Sequence, residues 1–344
     1  TRLVPALHEA DVVASLRARG LLPSGPLGER ALVDVAGEIR PYALAFAEWR
    51  DFPVAPLGDS GDRPWLLRQP MTGDLPVVLT AMNSMVALGG NDPPESGYEA
   101  LFQSGAGLGV SWPGGSVPAY ADAGLGGVGF RPGSMRVVFH VTDGSSHAST
   151  DYGASIPNAH GKDEAFAALG ALGIRVVPIL SLIGDVYTPI ANTQLLEAAA
   201  STGADVLPCA FNRGPGCPAT LCCTGTGGSG QAPNASGRCP LRFQIDSSGA
   251  GGGTAIDAGV RTLVKYGRHQ LIASAADDGL PGTVDTTCFI DRIEADAFIP
   301  PPQEPEASCV VPATPASIGG GGYNDGFANV ETGSAAGVPG IALQ

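Results

Sequence analysis

The sequence contains no apolar run that approaches the length of about 18 residues needed by a membrane-spanning helix. Positive charge is also scarce, because 19 Lys and Arg stand against 33 Asp and Glu and give a formal net charge of −14. A surface of this sign repels nucleic-acid phosphates and anionic lipid headgroups. We therefore predict no nucleic-acid partner, no transmembrane segment and no polybasic anchor. An acidic surface does suit a protein that collects divalent cations.

Aromatic residues are few as well, at 6% of the chain, while 50 glycines and 30 prolines indicate long loops. Hydrophobic residues still make up 44%, which is enough for a sizeable core. The glycine-rich stretches are local, so the composition does not indicate a disordered chain. At 344 residues the chain has room for one large domain with appendages or for two domains.

Cysteine is missing from the chain before residue 209, and then five of the seven cysteines fall within one short segment rich in Gly, Pro, Ser and Thr. Such a segment buries little apolar surface, so cross-links would be its main source of order. We predict disulfides and an extracellular location, either secreted or at the cell surface. A structural zinc site is the alternative, which the Cys222-Cys223 doublet and the lack of paired C-x-x-C motifs disfavour. An odd cysteine count leaves one thiol free or paired outside this sequence.

Apolar runs of strand length alternate with amphipathic helical patterns along the middle of the chain. The runs are typical of strands covered on both faces, and the alternation predicts an α/β fold with a doubly wound, mostly parallel sheet. A Cys-rich insert precedes the last helix, and a β-rich C-terminal segment follows it. The predicted strands are residues 42–49, 135–141, 174–182 and a short one from 204. The predicted helices are residues 29–39, 74–86, 95–103, 162–172, 194–202 and 253–266, with a loose loop over 105–133.

Three predicted loops carry carboxylates at the edge where such a sheet binds ligands. Asp51 and Asp143 each follow a predicted strand, while Asp92 and Glu95 precede a predicted helix. Hard cations such as Ca²⁺ and Mg²⁺ prefer several oxygen ligands, and the Pro94 carbonyl is a further candidate. A single Asp after a strand is more often a helix cap or a solvated turn. The joint occurrence of three such loops predicts a metal site.

The amino-acid sequences of these loops resemble those of the integrin-β type of von Willebrand factor A domain. Residues 49–56, WRDFPVAP, are similar to the integrin segment in which an Asp precedes Lys-Pro-Val-Ser-Pro. Residues 91–100, NDPPESGYEA, resemble its Asp-x-Pro-Glu-Gly-Gly-Phe-Asp-Ala segment, and residues 139–147, FHVTDGSSH, resemble its Phe-x-Thr-Asp-Ala-x-x-His segment. The similarity covers roughly residues 36–200. The whole chain is more loosely similar to secreted or surface A-domain proteins of myxobacteria.

The resemblance implies specific metal ligands. Asp51, Asp92, Glu95 and the Pro94 carbonyl would form the calcium site that flanks the adhesion site, and Glu95 and Asp143 would belong to the adhesion site itself. Where the family has a further Asn ligand, this chain has Gly90. The resemblance also implies adhesion or protein binding through the metal-site face, without enzymatic activity.

The family's Asp-x-Ser-x-Ser motif is missing from the start of the chain. We therefore interpret residues 1–30 as an atypical or remnant first strand, residues 31–268 as the A-like domain with its Cys-rich insert at 207–242, and residues 269–344 as an incomplete β-rich segment. Both ends are expected to be altered or truncated relative to the native product.

Two other interpretations compete with adhesion. A hydrolase is one alternative, because a Ser-His-Asp combination is present in Asp143, Ser145, Ser146 and His147. These residues share one short loop, however, and no nucleophile elbow accompanies them. We expect His147 to orient the Asp143 loop, and His140 to be a buried strand residue. The competing class is a self-assembling structural subunit of an extracellular filament or coat with a degenerate metal site.

Overall fold

A computed structural model gives the fold of the chain. The residues that it describes are 32–35, 38–41, 43–86, 91–132, 134–211, 216–266, 268–274, 294–295, 317–319, 324–331 and 341–342. The predictions for residues 1–30 and for Gly90 fall outside these ranges.

The described secondary structure mixes strands and helices along the chain. The strands are β1 (Leu32–Val35), β2 (Glu38–Pro41), β3 (Leu44–Glu48), β4 (Leu66–Thr72), β5 (Val110–Trp112), β6 (Gly115–Val117), β7 (Arg136–Thr142), β8 (Ile174–Leu182), β9 (Asp205–Val206), β10 (Cys239–Pro240), β11 (Phe243–Asp246), β12 (Arg268–Ser274), β13 (Glu294–Ala295), β14 (Ser317–Gly319), β15 (Asn324–Glu331) and β16 (Ile341–Ala342). The helices are α1 (Leu75–Asn83), α2 (Gly97–Ala106), α3 (Lys162–Ala171), α4 (Thr188–Ser201) and α5 (Gly252–Tyr266).

The chain divides into two compact units. The first contains residues 1–203 and 241–256, and the second contains residues 204–240 and 257–344. The candidate site lies entirely in the first unit, and the clustered cysteines lie in the second.

A parallel three-stranded sheet of order β11-β8-β7 lies in the first unit. Its central strand β8 is buried over most of its length, as a run of β-branched and aliphatic residues predicts. This result confirms a mixed α/β fold with a parallel sheet. The doubly wound arrangement of the whole chain remains a prediction.

Helices α2 and α3 form the core beside this sheet. Tyr98, Leu101 and Phe102 of α2 are buried, as predicted, and Leu169 of α3 packs in the same cluster as Ile174 of β8. Helix α2 is buried over its residues 97–105, so its position is fixed by packing.

Several predicted elements of the first unit are wrong. The predicted helix over 29–39 is the antiparallel pair β1 and β2. The predicted strand over 42–49 exists as β3, but it pairs antiparallel with β4 and not with the parallel sheet. The predicted loose loop over 105–133 contains the hairpin of β5 and β6, whose Trp112 is buried. Helix α1 begins after Asp74 as predicted, yet Leu79, Met82 and Val86 are exposed.

The described part of the second unit contains short strands and disulfide bonds. Strands β9 and β10 pair antiparallel, and β12, β15 and β14 form an antiparallel sheet. Disulfides join Cys217 to Cys223 and Cys222 to Cys239, and Cys209 is disulfide-bonded as well. The prediction of disulfides in this segment is confirmed, and oxidised cysteines do not serve as zinc ligands.

None of the helices within the described ranges combines the length and the apolarity that crossing a membrane requires.

Candidate metal centre

The loop that leads into α2 is tied to the loop that follows β7. The Glu95 amide donates to the Ser145 carbonyl at 2.8 Å, and the His147 amide donates to the Glu95 carbonyl at 2.9 Å. The Ser96 amide donates to the Arg50 carbonyl at 3.2 Å, which connects the loop after β3 to the same place. Three segments that are distant in sequence are therefore held together by backbone hydrogen bonds.

The side chains of Asp51, Asp92 and His147 meet where these loops converge. His147 Nε2 lies 2.8 Å from Asp51 Oδ2 and 3.6 Å from Asp92 Oδ1. One potential ligand atom from each of the three residues lies within 4.8 Å of the others. This spacing suits donors that share one cation, and it brings together two of the predicted ligands, Asp51 and Asp92.

Asp51 is the most rigidly held member of the cluster. Its side chain is fully buried, and Oδ1 accepts hydrogen bonds from the Phe52 amide at 2.7 Å and from the Ser96 hydroxyl. Tyr152 donates to the Ser96 hydroxyl at 3.2 Å and so supports the contact from behind. These bonds leave Oδ2 of Asp51 directed toward His147.

His147 is buried and contacts carboxylates through both ring nitrogens. Nδ1 lies 3.4 Å from Asp151 Oδ2, while the Ala148 amide donates to that same oxygen at 2.8 Å. Burial alone would lower the pKa of His147, but the hydrogen bond and charge of Asp51, together with Asp92 and Asp151, raise it above the usual value. The ring contact with Asp51 ties the segment that follows β7 to the loop after β3, and the expected role of His147 in orienting the Asp143 loop stays a prediction.

Glu95 is the most strongly perturbed carboxyl group of the centre. Burial, followed by the charges of Asp51, Asp62, Asp143 and Asp92, raises its pKa from 4.5 to about 8. Burial also raises the pKa of Asp92, with His147 opposing the shift. Local negative charge is therefore in excess at this edge of the unit, and a cation would relieve it.

Two of the buried carboxylate oxygens that accept no hydrogen bond from the described residues belong to this centre, although one of them, Asp92 Oδ1, lies 3.6 Å from His147 Nε2. They are Oδ1 of Asp92 and Oε2 of Glu95. Because a buried acceptor without a partner costs free energy, such atoms are expected where a ligand completes the site. The donor set therefore fits a divalent cation.

The remaining predicted ligands differ in position. Asp143 is exposed at the end of β7, yet it is close enough to contribute to the raised pKa of Glu95. Pro94 is half-buried in the same loop as Glu95. Sequence reasoning missed His147 as a potential ligand. The signal available was its position four residues before Asp151, which places a carboxylate within reach of the imidazole ring.

His140 is a structural residue of β7, as predicted. Its ring stacks on Trp49 with a centroid distance of 4.8 Å, and burial lowers its pKa to about 4. It packs behind the site and links the loop after β3 to the parallel sheet.

The comparisons with known proteins place the chain in no family. No protein-family model matches it, and no curated protein matches it. The integrin-like interpretation therefore remains a prediction based on the three loops.

Proposed function

We propose that this protein is an extracellular binding or adhesion module that uses a divalent cation at the Asp51–Asp92–His147 cluster. The observation that carries the proposal is the convergence of one ligand atom from each of these three loops. The buried oxygens Asp92 Oδ1 and Glu95 Oε2 support it, because they accept no hydrogen bond from the described residues. Ca²⁺ is the cation that the sequence resemblance implies, and Mg²⁺ is a second candidate because hard cations prefer oxygen ligands.

A cation in this position would serve as the contact point for a partner. Metal sites with few protein ligands keep coordination positions open, and a carboxylate from another molecule can occupy one of them. Asp92 is partly exposed and Asp143 is exposed, so this face is accessible to a protein or surface ligand. The net charge of −14 makes direct approach of an acidic partner unfavourable without the cation. The disulfides support an extracellular location.

Adhesion of protein-coated microspheres to intact cells and to each other tests this function. We expect adhesion in the presence of divalent cation, loss of adhesion with chelator, and loss in the Asp92→Asn variant. Asp122→Asn is the matched control, since it removes one exposed negative charge that is not part of the cluster. Adhesion that is unchanged by chelator and by Asp92→Asn would exclude the proposal.

A structural subunit of a filament or coat is the second candidate. Helix α1 favours it, because Val77, Leu79 and Met82 are exposed on one short helix. Light scattering separates the two candidates. Assembly that grows with protein concentration and is insensitive to chelator would favour the structural subunit.

A further inference from the structure

We infer that the cation at this centre is a first-row metal ion that accepts imidazole beside carboxylates, Mn²⁺ or Zn²⁺, and that His147 Nε2 is one of its ligands. The inference rests on the proposed cation site and concerns which class of cation it selects. An all-oxygen Ca²⁺ or Mg²⁺ site is the expectation that it replaces.

The position of the imidazole is the first reason. Ligands that occupy neighbouring positions around an ion at about 2.1 Å lie about 3 Å apart. His147 Nε2 is 2.8 Å from Asp51 Oδ2 and 3.6 Å from Asp92 Oδ1, which is the spacing of such neighbours. Without a cation the 2.8 Å contact is a hydrogen bond to Asp51, so the nitrogen lies where a cation could take the place of the shared proton.

The contact on the other ring nitrogen is the second reason. Metal-bound histidines usually donate their second N–H to a carboxylate or carbonyl, which fixes the tautomer and the ring orientation. Asp151 Oδ2 lies 3.4 Å from His147 Nδ1 and is itself held by the Ala148 amide. When a cation replaces the proton on Nε2 and the remaining proton stays on Nδ1 beside Asp151, the Nε2 lone pair can coordinate that cation between Asp51 and Asp92.

The limited supply of oxygens is the third reason. Ca²⁺ takes six to eight oxygen ligands, often including bidentate carboxylates. Asp51 Oδ1 already accepts from the Phe52 amide and from Ser96, so Asp51 offers only Oδ2. A mixed set of one nitrogen and a few monodentate oxygens suits Mn²⁺ and Zn²⁺ better than Ca²⁺.

Separate calorimetric titrations of the metal-free chain with Mn²⁺, Zn²⁺ and Ca²⁺ test this selectivity. We expect Mn²⁺ and Zn²⁺ to bind about tenfold or more tightly than Ca²⁺, because Ca²⁺ requires six to eight oxygen ligands and gains least from an imidazole nitrogen. His147→Gln should lower the Mn²⁺ and Zn²⁺ affinities about tenfold or more and should change Ca²⁺ affinity much less. Circular dichroism confirms that the variant is folded.

Pulsed electron paramagnetic resonance provides a readout that does not depend on the variant. Mn²⁺ bound to wild-type chain labelled with ¹⁵N-histidine should show coupling to one nitrogen nucleus. Mn²⁺ binding without nitrogen coupling, or Ca²⁺ binding at least as tight as Mn²⁺ and Zn²⁺, would overturn the inference and leave the proposed site standing. Failure of all three cations to bind would remove both the inference and the proposed function.

Discussion

Glu95 is a carboxyl group placed where ionisation is unfavourable until a cation arrives. Its pKa of about 8 lies well above the ordinary 4.5 because of burial and of four neighbouring carboxylates. The folded cation-free protein therefore keeps a proton that the unfolded chain releases. Its contribution to stability is present below about pH 4.5 and is lost as the pH rises to about 8. Ionised Glu95 therefore destabilises the cation-free fold, but the same negative charge favours cation binding.

The Glu95→Gln variant separates these two effects. Without cation at pH 8, we expect a higher free energy of unfolding than in wild type, since Gln carries no charge to bury. Near pH 4 the two proteins should be similar in stability. Wild-type cation affinity should rise between pH 6 and about pH 8 as Glu95 loses its proton, whereas the variant should bind more weakly and with less pH dependence. Chemical denaturation at several pH values measures the unfolding free energies, and calorimetry at the same pH values measures the cation affinities. A variant that is no more stable at pH 8 would contradict this account of Glu95.

His140 gives a second prediction at the residue scale, with the opposite sign. Burial lowers its pKa from 6.5 to about 4, so its contribution to stability is complete above pH 6.5 and is lost as the pH falls to about 4. The difference between these two pKa values corresponds to about 3 kcal/mol in the free energy of unfolding. His140→Phe keeps an aromatic ring beside Trp49 but cannot titrate.

Unfolding titrations of wild type and His140→Phe between pH 4 and pH 7 test this prediction. The difference in unfolding free energy between the two proteins should move in favour of the variant as the pH falls, by about 3 kcal/mol in total. A difference that is constant across this range would show that His140 is not buried in its neutral form.

Among the structural elements, the N-terminus of α2 sets the distance between the metal-binding loops. Gly97 begins this helix, and a Cβ added there would overlap the Ser146 hydroxyl and approach His140 Nε2 and Trp49 to 3.3 Å. A side chain at this position would force the Ser146 hydroxyl to rotate away and would still press against His140 and Trp49. The glycine is required by close approach and not by its backbone conformation.

Gly97→Ala should therefore separate the loops. We expect a loss of about 1–3 kcal/mol in unfolding free energy, typical of overpacking, together with weaker cation binding. Gly170→Ala in α3 is the matched control, because a Cβ there meets nothing within 4 Å. The control should be neutral or more stable by up to about 1 kcal/mol. Equal behaviour of the two variants in denaturation and calorimetry would contradict the close-approach argument.

The two described disulfides of the second unit close loops of different size. Cys222–Cys239 spans 17 residues and Cys217–Cys223 spans 6. If each acts mainly on the entropy of the unfolded chain, removal of the first should cost about 3 kcal/mol and of the second about 2 kcal/mol. Paired Cys→Ser variants compared by thermal unfolding test this order. A larger loss for the shorter loop would show that the entropic argument does not hold here.

The sequence predicted an element correctly where its apolar residues follow the spacing of only one kind of secondary structure. Strand β8 was predicted with both ends correct, because nine residues of mainly β-branched and aliphatic type leave no helical alternative. Residues 29–39 were misassigned because Leu32, Val35 and Ile39 fit a helical spacing. The structure instead pairs Leu32–Val35 antiparallel with Glu38–Pro41. Strand β11 has only four residues, and its pairing with β8 depends on contacts distant in sequence.

The candidate site also has one part that the sequence predicted and one part that it could not predict. Asp51 and Asp92 converge as predicted, although β3 pairs with β4 and does not belong to the parallel sheet on whose edge the prediction relied. The direction of the His147 ring was not predictable, because it depends on where Asp151 and Asp51 lie in the folded loops. Side-chain contacts of this kind are set by tertiary packing and have no periodic signal in the sequence.

For the whole molecule, the central claim is that three loops of the first unit form one cation site in an acidic protein of net charge −14. Surface carboxylates alone attract divalent cations weakly and without defined stoichiometry. A converged site should instead bind one equivalent, and binding should depend on single residues of the cluster. This distinction makes stoichiometry the most informative quantity.

Calorimetric titration of divalent cations into wild type, Asp92→Asn and Asp122→Asn tests this claim most directly. We predict binding of one equivalent by wild type and by Asp122→Asn, and loss of that binding in Asp92→Asn while circular dichroism remains unchanged. The absence of saturable binding in folded wild type, or equal binding by all three proteins, would contradict the account. The cluster of Asp51, Asp92 and His147 would then be a structural ion pair and not a metal centre.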